Sequence, residues 1–345
     1  MRNLTNNHGL PQSFMNALNR DTHPVSGDIS VSQLIAPPQV RYLKRLHDIE
    51  EDAMDFIFMS IGTALHKWLE SGNSPEFDAT AVEHVADLAK MKFNETEDVR
   101  YQNLVKAIKA LSPPPSNRKV FVEQTLTVPF ENITLYGTSD YIETFYSNTA
   151  IYSMLEDHKM CSVYAWMYPE SREKWIEQLN IYAWMAEKNG FPPVTELWIN
   201  AYFRDWSRSR LLSGGMDYPK HPFMRIQIPR KSNEEIEAFV NSRLALHRMA
   251  DNGTPPECNG ADRWASADSY VVKTKKNTKS AIRGSKRDTL KGAEDFIKEI
   301  QHKYGPDELY VEARPGESRK CESYCPVRSV CPQYKRIQEL TREEL

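Results

Sequence analysis

Two neighbouring strand-like segments that carry acidic residues constrain the fold of this chain more than any other feature. Asp140 begins the alternating run at residues 141–146, and Asp157 and Lys159 end a second apolar run that starts at Ala150. A short polar link joins the two runs, which is the pattern of a β-hairpin. Such a hairpin brings two carboxylates and an ammonium group to one part of a sheet.

The spacing of Asp157 and Lys159 puts both side chains on one face of a strand, while His158 points to the other face. A hard cation such as Mg²⁺ prefers oxygen ligands. Asp140 and Asp157 are therefore candidate ligands, with the backbone carbonyl of His158 as a third. Lys159 would stand beside a metal-bound water, where it can orient or deprotonate the water or stabilise charge on a phosphate. Taken alone, an Asp-x-Lys tripeptide is more typical of a surface ion pair.

Helical patterns flank the predicted hairpin on both sides. Upstream, residues 61–70 form an apolar helical pattern in which His66 follows a glycine by four residues. A histidine in such a pattern is usually a packing residue. Downstream, residues 175–185 are strongly helical, and Gln178 and Tyr182 share one face because they are four residues apart.

The motifs G-x-x-x-H, G-x-x-D, D-x-K and Q-x-x-x-Y follow one another in this order within about residues 30–203. This order resembles the PD-(D/E)XK nuclease superfamily, specifically the RecB-like branch with its AddB-type, CRISPR-adaptation and phage-encoded exonucleases. The resemblance implies that His66, Asp140 and Asp157 are metal ligands and that Lys159 is the catalytic lysine. An imidazole ligand makes Mn²⁺ an alternative to Mg²⁺.

The resemblance also assigns roles to residues around the metal. Gln178 and Tyr182 match a helix motif that lies beside the active site and contacts the DNA strand. Glu123, on a preceding strand-like run, supports the metal through water or is an ordinary carboxylate on a sheet face.

The predicted elements follow the order helix, three strands, helix and strand, which indicates an α/β fold with a mixed central sheet flanked by helices. This is the restriction-endonuclease-like core, and a helical, cysteine-rich C-terminal part follows it. We expect an extended N-terminal arm at residues 1–29, a nuclease core with its N-terminal helical region at 30–230, and a helical and basic segment with the cysteines at 231–345. Continuous helices are predicted at residues 31–45 and 79–111.

The cysteines indicate a metal site rather than a disulfide framework. Their number is odd and the N-terminus has no hydrophobic signal core. Cys321, Cys325 and Cys331 lie close together, and zinc or an iron–sulfur cluster would suit such thiolates. The segment resembles the cysteine-rich terminus of RecB-like nucleases that carry a 4Fe–4S cluster. It differs in having three residues between its first two cysteines, where that family has two, and in lacking a cysteine ahead of the core.

A fourth thiolate ligand must therefore come from elsewhere in the chain. Cys258 follows Pro-Pro-Glu in a loop-like setting and is the preferred candidate. Cys161, two residues after Lys159, is the other candidate, although its position is typical of a buried thiol at a strand end. The alternative to a metal site is that the C-terminal thiols stay reduced and fill small core positions.

No apolar run approaches membrane-spanning length, so we do not expect a membrane protein. The net charge is −3, so the overall charge does not by itself indicate DNA binding. A cationic run at residues 273–287 is either a solvated face or an arm that contacts phosphates. We expect a cytoplasmic protein of a bacterium or a phage-infected cell. DNA is the expected partner, and recombination proteins, helicases or a second copy of the chain are further candidates.

The sequence thus predicts a Mg²⁺- or Mn²⁺-dependent deoxyribonuclease, specifically an exonuclease of phage or bacterial DNA recombination, repair or defence. One alternative is a catalytically silent nuclease fold that acts as a DNA-binding or assembly subunit. Another is a zinc-stabilised interaction protein in which the Asp-x-Lys motif is accidental.

Overall fold

The computed structural model describes residues 3–20, 26–72, 118–147, 150–213 and 217–343. The predicted helix at residues 79–111 lies outside this part of the chain. The chain divides into two compact units, of which the first is Met1–Ile35 with Glu50–Ala245 and the second is Ala36–Ile49 with Leu246–Leu345.

The secondary structure alternates between strands and helices along the chain. The strands are β1 (Leu4–Thr5), β2 (Ile29–Ser30), β3 (Glu51–Asp52), β4 (Arg118–Phe130), β5 (Ile133–Tyr146), β6 (Ile151–Cys161), β7 (Val194–Phe203), β8 (Phe223–Ile228), β9 (Ser269–Thr274) and β10 (Leu309–Arg314). The helices are α1 (Gln12–Arg20), α2 (Val31–Ile35), α3 (Pro38–Leu46), α4 (Ile57–Gly72), α5 (Val163–Met167), α6 (Pro169–Lys188), α7 (Arg208–Ser213), α8 (Asn233–Asp251), α9 (Gly260–Arg263), α10 (Leu290–Ile300), α11 (Arg319–Ser323) and α12 (Pro332–Glu343). Short 3₁₀ turns lie at Ala53–Phe56 and Gln301–Lys303.

The first unit is built on a mixed sheet with the strand order β2-β5-β6-β7-β8, and β4 pairs with β5 in addition. Strands β2 and β5 are parallel, as are β6 and β7, whereas β4–β5, β5–β6 and β7–β8 are antiparallel. This mixed sheet, flanked by helices, confirms the predicted fold class.

One edge of β5 is shared between two partners, and this arrangement opens a gap in the sheet. Strand β2 pairs with Leu135 and Tyr136, and β6 pairs with β5 only as far as the pair Tyr141 and Glu156. Beyond Glu156, β6 stays paired with β7 up to Cys161. Strands β5 and β6 therefore separate at this point, and Asp140 and Asp157 lie just beyond the last pair.

Helix α6 forms the centre of the first unit's core. Every residue from 179 to 186 is buried, because the sheet and other parts of the first unit enclose this stretch. Tyr182 packs directly on the backbone of β5 at Gly137, where an added Cβ would lie 2.5 Å from the tyrosine ring. The glycine thus lets α6 approach β5 closely next to Asp140. No helix among the described residues combines the length and apolar character needed to span a bilayer.

The second unit contains an antiparallel pair, β9 and β10, that packs on α10 around Val272, Ala293, Ile300 and Leu309. Both strands differ from the sequence-based prediction, which gave only helical and basic structure in this region. The charged Lys273 interrupts the apolar pattern of β9 in the sequence. It can nevertheless be buried, because its ammonium group pairs with Glu312 on β10, 2.5 Å away.

Two further predictions of local structure are wrong. The helix expected over residues 31–45 is divided, since α2 ends at Ile35 and α3 begins at Pro38. Prolines lack the backbone N–H of a helix interior and disfavour helical geometry in the preceding residue, so Pro37 and Pro38 force the break. The N-terminal arm is not extended, because α1 buries Met15 and Leu18 in a small apolar cluster with Ala53.

We predict that Gly137→Ala destabilises the protein by about 1–3 kcal/mol or more, because the Tyr182 ring is buried and cannot move aside. Gly62→Ala in α4 is the matched control, since an added Cβ there meets no atom within 4 Å. A helical Gly→Ala change of this kind is expected to raise stability by about 0.5–1 kcal/mol. Thermal melts of both variants test the close approach of α6 to β5. Equal melting temperatures for the two variants would contradict it.

Candidate active site and cysteine site

The gap between β5 and β6 leaves the backbone of His158 without a strand partner on that side, and two side chains satisfy it. The His158 N–H donates to Asp140 Oδ2 at 2.7 Å. The His158 carbonyl accepts from His66 Nε2, on α4, at 2.9 Å. A buried peptide group that lost its ladder partner would otherwise be costly. The same peptide thus fixes Asp140 and His66.

His66, Glu123 and Asp140 offer ligand atoms that all lie within 4.8 Å of one another. The His66 Nδ1 atom lies 3.6 Å from Asp140 Oδ1 and 3.7 Å from Glu123 Oε1. Because Nε2 donates to a carbonyl, Nδ1 of the neutral ring carries the lone pair and points it at the two carboxylates. Metal-binding histidines are oriented in this way by a carbonyl on their other nitrogen. Imidazole and carboxylate together suit Mn²⁺ or Mg²⁺, so these residues fit a divalent cation.

Burial and neighbouring charges shift the pKa values of two members of this group. Burial, and then the nearby charge of Asp157, raise the pKa of Asp140 to about 7. The nearby carboxylate of Glu123 is the main cause that raises the pKa of His66 to about 9, and Asp140 adds to it. In the metal-free protein a protonated imidazole therefore offsets part of the negative charge.

Lys159 and Asp157 form a close ion pair on the adjacent strand. The Lys159 Nζ lies 2.9 Å from Asp157 Oδ1 and 2.8 Å from Oδ2. Burial disfavours the ammonium charge, but the carboxylates of Asp157 and Asp140 outweigh burial and raise the pKa of Lys159. Lys159 is therefore positively charged in this arrangement, which suits stabilisation of phosphate charge better than removal of a proton. Asp157 faces Lys159 and lies outside the three-residue group, so its role as a ligand stays a prediction.

Gln178 and Tyr182 on α6 lie behind Lys159. Gln178 Oε1 accepts a hydrogen bond from Lys159 Nζ at 3.1 Å. Tyr182 lies one helical turn further along and is buried, and Gln178 influences the pKa of its hydroxyl group. This arrangement gives Gln178 a positioning role, and the contact of both residues with DNA stays a prediction.

Glu123 occupies strained backbone. Its φ of 48° lies in the left-handed region, which is rare for a residue other than glycine. The β4–β5 register continues on either side, with Val122 opposite Tyr141 and Gln124 opposite Ser139, so Glu123 stands opposite Asp140. Backbone strain of this kind is concentrated at functional sites. The distortion brings the Glu123 carboxylate into the group with His66, whereas the sequence pattern left it as a support of the metal through water or an ordinary carboxylate on a sheet face.

A cleft of about 460 Å³, which the sequence pattern did not predict, lies next to this site. His158 and Tyr141 line both this cleft and the small cavity at His66 and Asp140. The cleft is polar, and Glu156 in it accepts from Asn200 at 2.6 Å and forms an ion pair with Arg225. The alternation of polar residues on β5 and β6, facing away from α6, was the available signal.

Four cysteines come together in the second unit. The Gln333 side chain holds the Cys258 backbone, accepting from its N–H at 2.9 Å and donating to its carbonyl at 2.8 Å. Gln333 lies two residues after Cys331, so this clamp brings Cys258 to the C-terminal cysteines. Burial, and then the charges of Asp262 and the three other cysteines, raise the pKa of the Cys258 thiol to about 12. Cys161 ends β6 in the first unit.

Comparison with known families agrees with the geometry of the gap. The family model of the PD-(D/E)XK nuclease superfamily matches residues 39–332. The chain belongs to the PD-(D/E)XK nuclease superfamily. The matched range includes the residues at the gap as well as the cysteine segment of this nuclease-superfamily protein.

A search of the curated proteins gives no significant match. Among solved structures, the one described as "Crystal structure of SSO0001" is 14% identical, with a TM-score of 0.35, and the similarity covers 69% of this chain and 83% of that chain. A similarity at this level says nothing about function.

Proposed function

We propose that the protein is a Mg²⁺- or Mn²⁺-dependent deoxyribonuclease of the RecB-like branch that acts as an exonuclease. The observation that carries this proposal is the set of His66, Glu123 and Asp140 beside the Asp157–Lys159 pair. Superfamily membership supports phosphodiester hydrolysis as the reaction. The choice of DNA, of ends as the site of attack and of the branch rests on the motif resemblance.

Each residue of the site has its own role in the proposed hydrolysis. A divalent cation held by His66, Glu123 and Asp140, with Asp157 as a further ligand, would lower the pKa of the attacking water and neutralise phosphate charge. Lys159 donates hydrogen bonds from its ammonium group to the phosphate as negative charge develops. Gln178 holds the lysine amine at 3.1 Å and so limits the positions that Nζ can adopt. The His158 carbonyl orients His66.

The biological setting follows from the same resemblance. We place the protein in the bacterial or phage-infected cytoplasm, in DNA recombination, repair or defence, with recombination proteins or helicases as candidate partners. The second candidate function is a silent DNA-binding or assembly subunit. The lysine, the carboxylates and the histidine are all present, which favours an active enzyme.

Lys159→Ala is expected to lower the cleavage rate of end-labelled DNA by about 100-fold or more, since a charge that meets the transition state is lost. Gln178→Ala should retain the ammonium group but position it loosely, so its rate falls by about 10-fold. Both variants are compared with wild-type protein in Mn²⁺, in Mg²⁺ and in EDTA. A covalently closed circular substrate, which offers no ends, should resist an exonuclease.

Lys188→Ala is the matched control, because Lys188 lies at the far end of α6 and is half exposed. It should cleave like the wild type. Metal-dependent cleavage that survives in Lys159→Ala would remove this lysine from the reaction. Absence of any cleavage by the wild-type protein, with DNA binding intact, would favour the silent subunit instead.

We also propose that Cys258, Cys321, Cys325 and Cys331 hold a 4Fe–4S cluster. The preference for a cluster over zinc rests on the resemblance of this segment to the cysteine-rich terminus of RecB-like nucleases. The proximity of the four cysteines supports a shared metal site, because Cys321, Cys331 and Cys325 all add to the rise in the pKa of the Cys258 thiol.

Serine substitution of Cys258 or Cys331 should remove iron and lower the melting temperature, because a bound metal centre adds its binding free energy to folding. The measurement is elemental analysis and the visible spectrum of anaerobically purified protein. Cys161→Ser is the control and should keep full iron content. Stoichiometric zinc in place of iron would contradict the cluster, and protein without either metal would exclude a metal site.

A further inference from the structure

Helix α5, which follows strand β6, exposes the aromatic side chain of Tyr164, and Tyr168 immediately after the helix is exposed as well. Tyr164 and Tyr168 are 51% and 57% exposed, and Met167 between them is also exposed. The two rings stack on each other with centroids 6.1 Å apart and planes inclined by 23°. Exposed aromatic rings offer flat faces on which a planar ligand such as a nucleic-acid base can stack.

The position of these rings is fixed by the rest of the first unit. Asp205 caps the start of α5, accepting from the Ser162 hydroxyl at 2.6 Å and from the Val163 N–H at 2.7 Å. Val163 is buried and Trp166 packs against the core. The helix is therefore anchored by its inner face, and ordering the tyrosines on a ligand costs little further entropy.

The patch lies close to the proposed active site along the chain. Asp157, Lys159 and Cys161 alternate along one face of β6, and α5 begins two residues later. At most about 18 Å of extended chain separates the Cα atoms of Lys159 and Tyr164. This distance corresponds to a few nucleotides of a single strand.

A cation adjoins the same end of β6. The Arg204 backbone N–H donates to the Cys161 carbonyl at 3.0 Å. Its guanidinium group lies over the ring of Phe58, 4.3 Å from the centroid, and that ring is itself largely exposed. In addition, the Arg172 guanidinium lies over the ring of Trp166, on α5, at 4.8 Å. Aromatic rings accompanied by arginines are the composition that binds single-stranded nucleic acid.

We propose that Tyr164 and Tyr168 form a stacking platform for unpaired bases of a single DNA strand whose scissile phosphodiester lies at Lys159, with Arg204 contacting its backbone. This deepens the proposed nuclease function and rests on it. The bases of a duplex are stacked on each other and do not offer a free face to the tyrosines. The preferred substrate is therefore single-stranded DNA, or a duplex with an unpaired end.

The test measures binding separately from cleavage. All proteins carry Lys159→Ala to prevent cleavage, and fluorescence anisotropy in Mg²⁺ reports their affinity for labelled oligothymidine and for a blunt duplex. Tyr164→Ala with Tyr168→Ala should weaken single-strand binding by about 10-fold or more, because each stacked base contributes substantially to affinity. Binding to the blunt duplex should change by less than about 2-fold.

Two controls separate stacking from other effects. Tyr164→Phe with Tyr168→Phe keeps the rings and should bind the single strand like the parent protein. Tyr146→Ala removes another exposed tyrosine, 41% exposed, from the hairpin end of β5 and should have no effect. Because the tyrosines at α5 are exposed, their alanine variants should melt within a few degrees of the parent.

The outcomes distinguish the two proposals. Unchanged single-strand binding in the alanine variant, or an equal loss for the blunt duplex, would overturn the stacking platform, whether or not the wild-type protein cleaves DNA. A wild-type protein that binds single strands through these tyrosines but never cleaves would leave the platform standing and overturn the nuclease proposal.

Discussion

The separation of β5 from β6 is the constraint on which the rest of the site depends. It exposes the two backbone groups of His158, which must find partners because they lie inside the protein. Asp140 takes the N–H and His66 takes the carbonyl, so residues from two distant segments are fixed by one peptide. The parting of the strands also separates Asp140 from Asp157, leaving a gap rather than a direct ladder pair.

This arrangement lowers the stability of the fold but supplies the charged groups that a metal site needs. Three carboxylates, those of Glu123, Asp140 and Asp157, surround one imidazole and one ammonium group, and burial raises the pKa of Asp140 to about 7. A carboxyl group whose pKa is raised by folding lowers stability as the pH rises above its unfolded pKa, because the unfolded chain then releases the proton more readily than the folded protein does. Glu123 adds backbone strain. A divalent cation would offset the charge repulsion, which explains why a stable fold can retain these residues.

The sequence predicted the elements at the site better than the contacts within it. Strand alternation and helical spacing identified β5, β6 and α6, since the patterns of Asp157 with Lys159 and of Gln178 with Tyr182 are local. The ligand group could not be predicted in full, because the approach of Glu123 to His66 depends on a left-handed residue in β4 and on packing between distant segments. Strand β9 was not predicted, because one of its buried residues is charged and its ion-pair partner cannot be identified from the sequence pattern. The exposed tyrosines at α5 look like ordinary core residues in the sequence.

The account depends on one claim, that the carboxylates in the gap repel one another and lower the stability of the fold until a cation binds. Thermal melts of wild-type protein and Asp140→Asn, at about pH 8 with and without Mn²⁺, test it most directly, because asparagine can still accept from the His158 N–H while removing a charge. We predict that the metal-free variant melts above the metal-free wild type, and that Mn²⁺ stabilises the wild type but hardly changes the variant. A variant that melts lower without metal, or that gains as much from Mn²⁺ as the wild type, would contradict this explanation of the site.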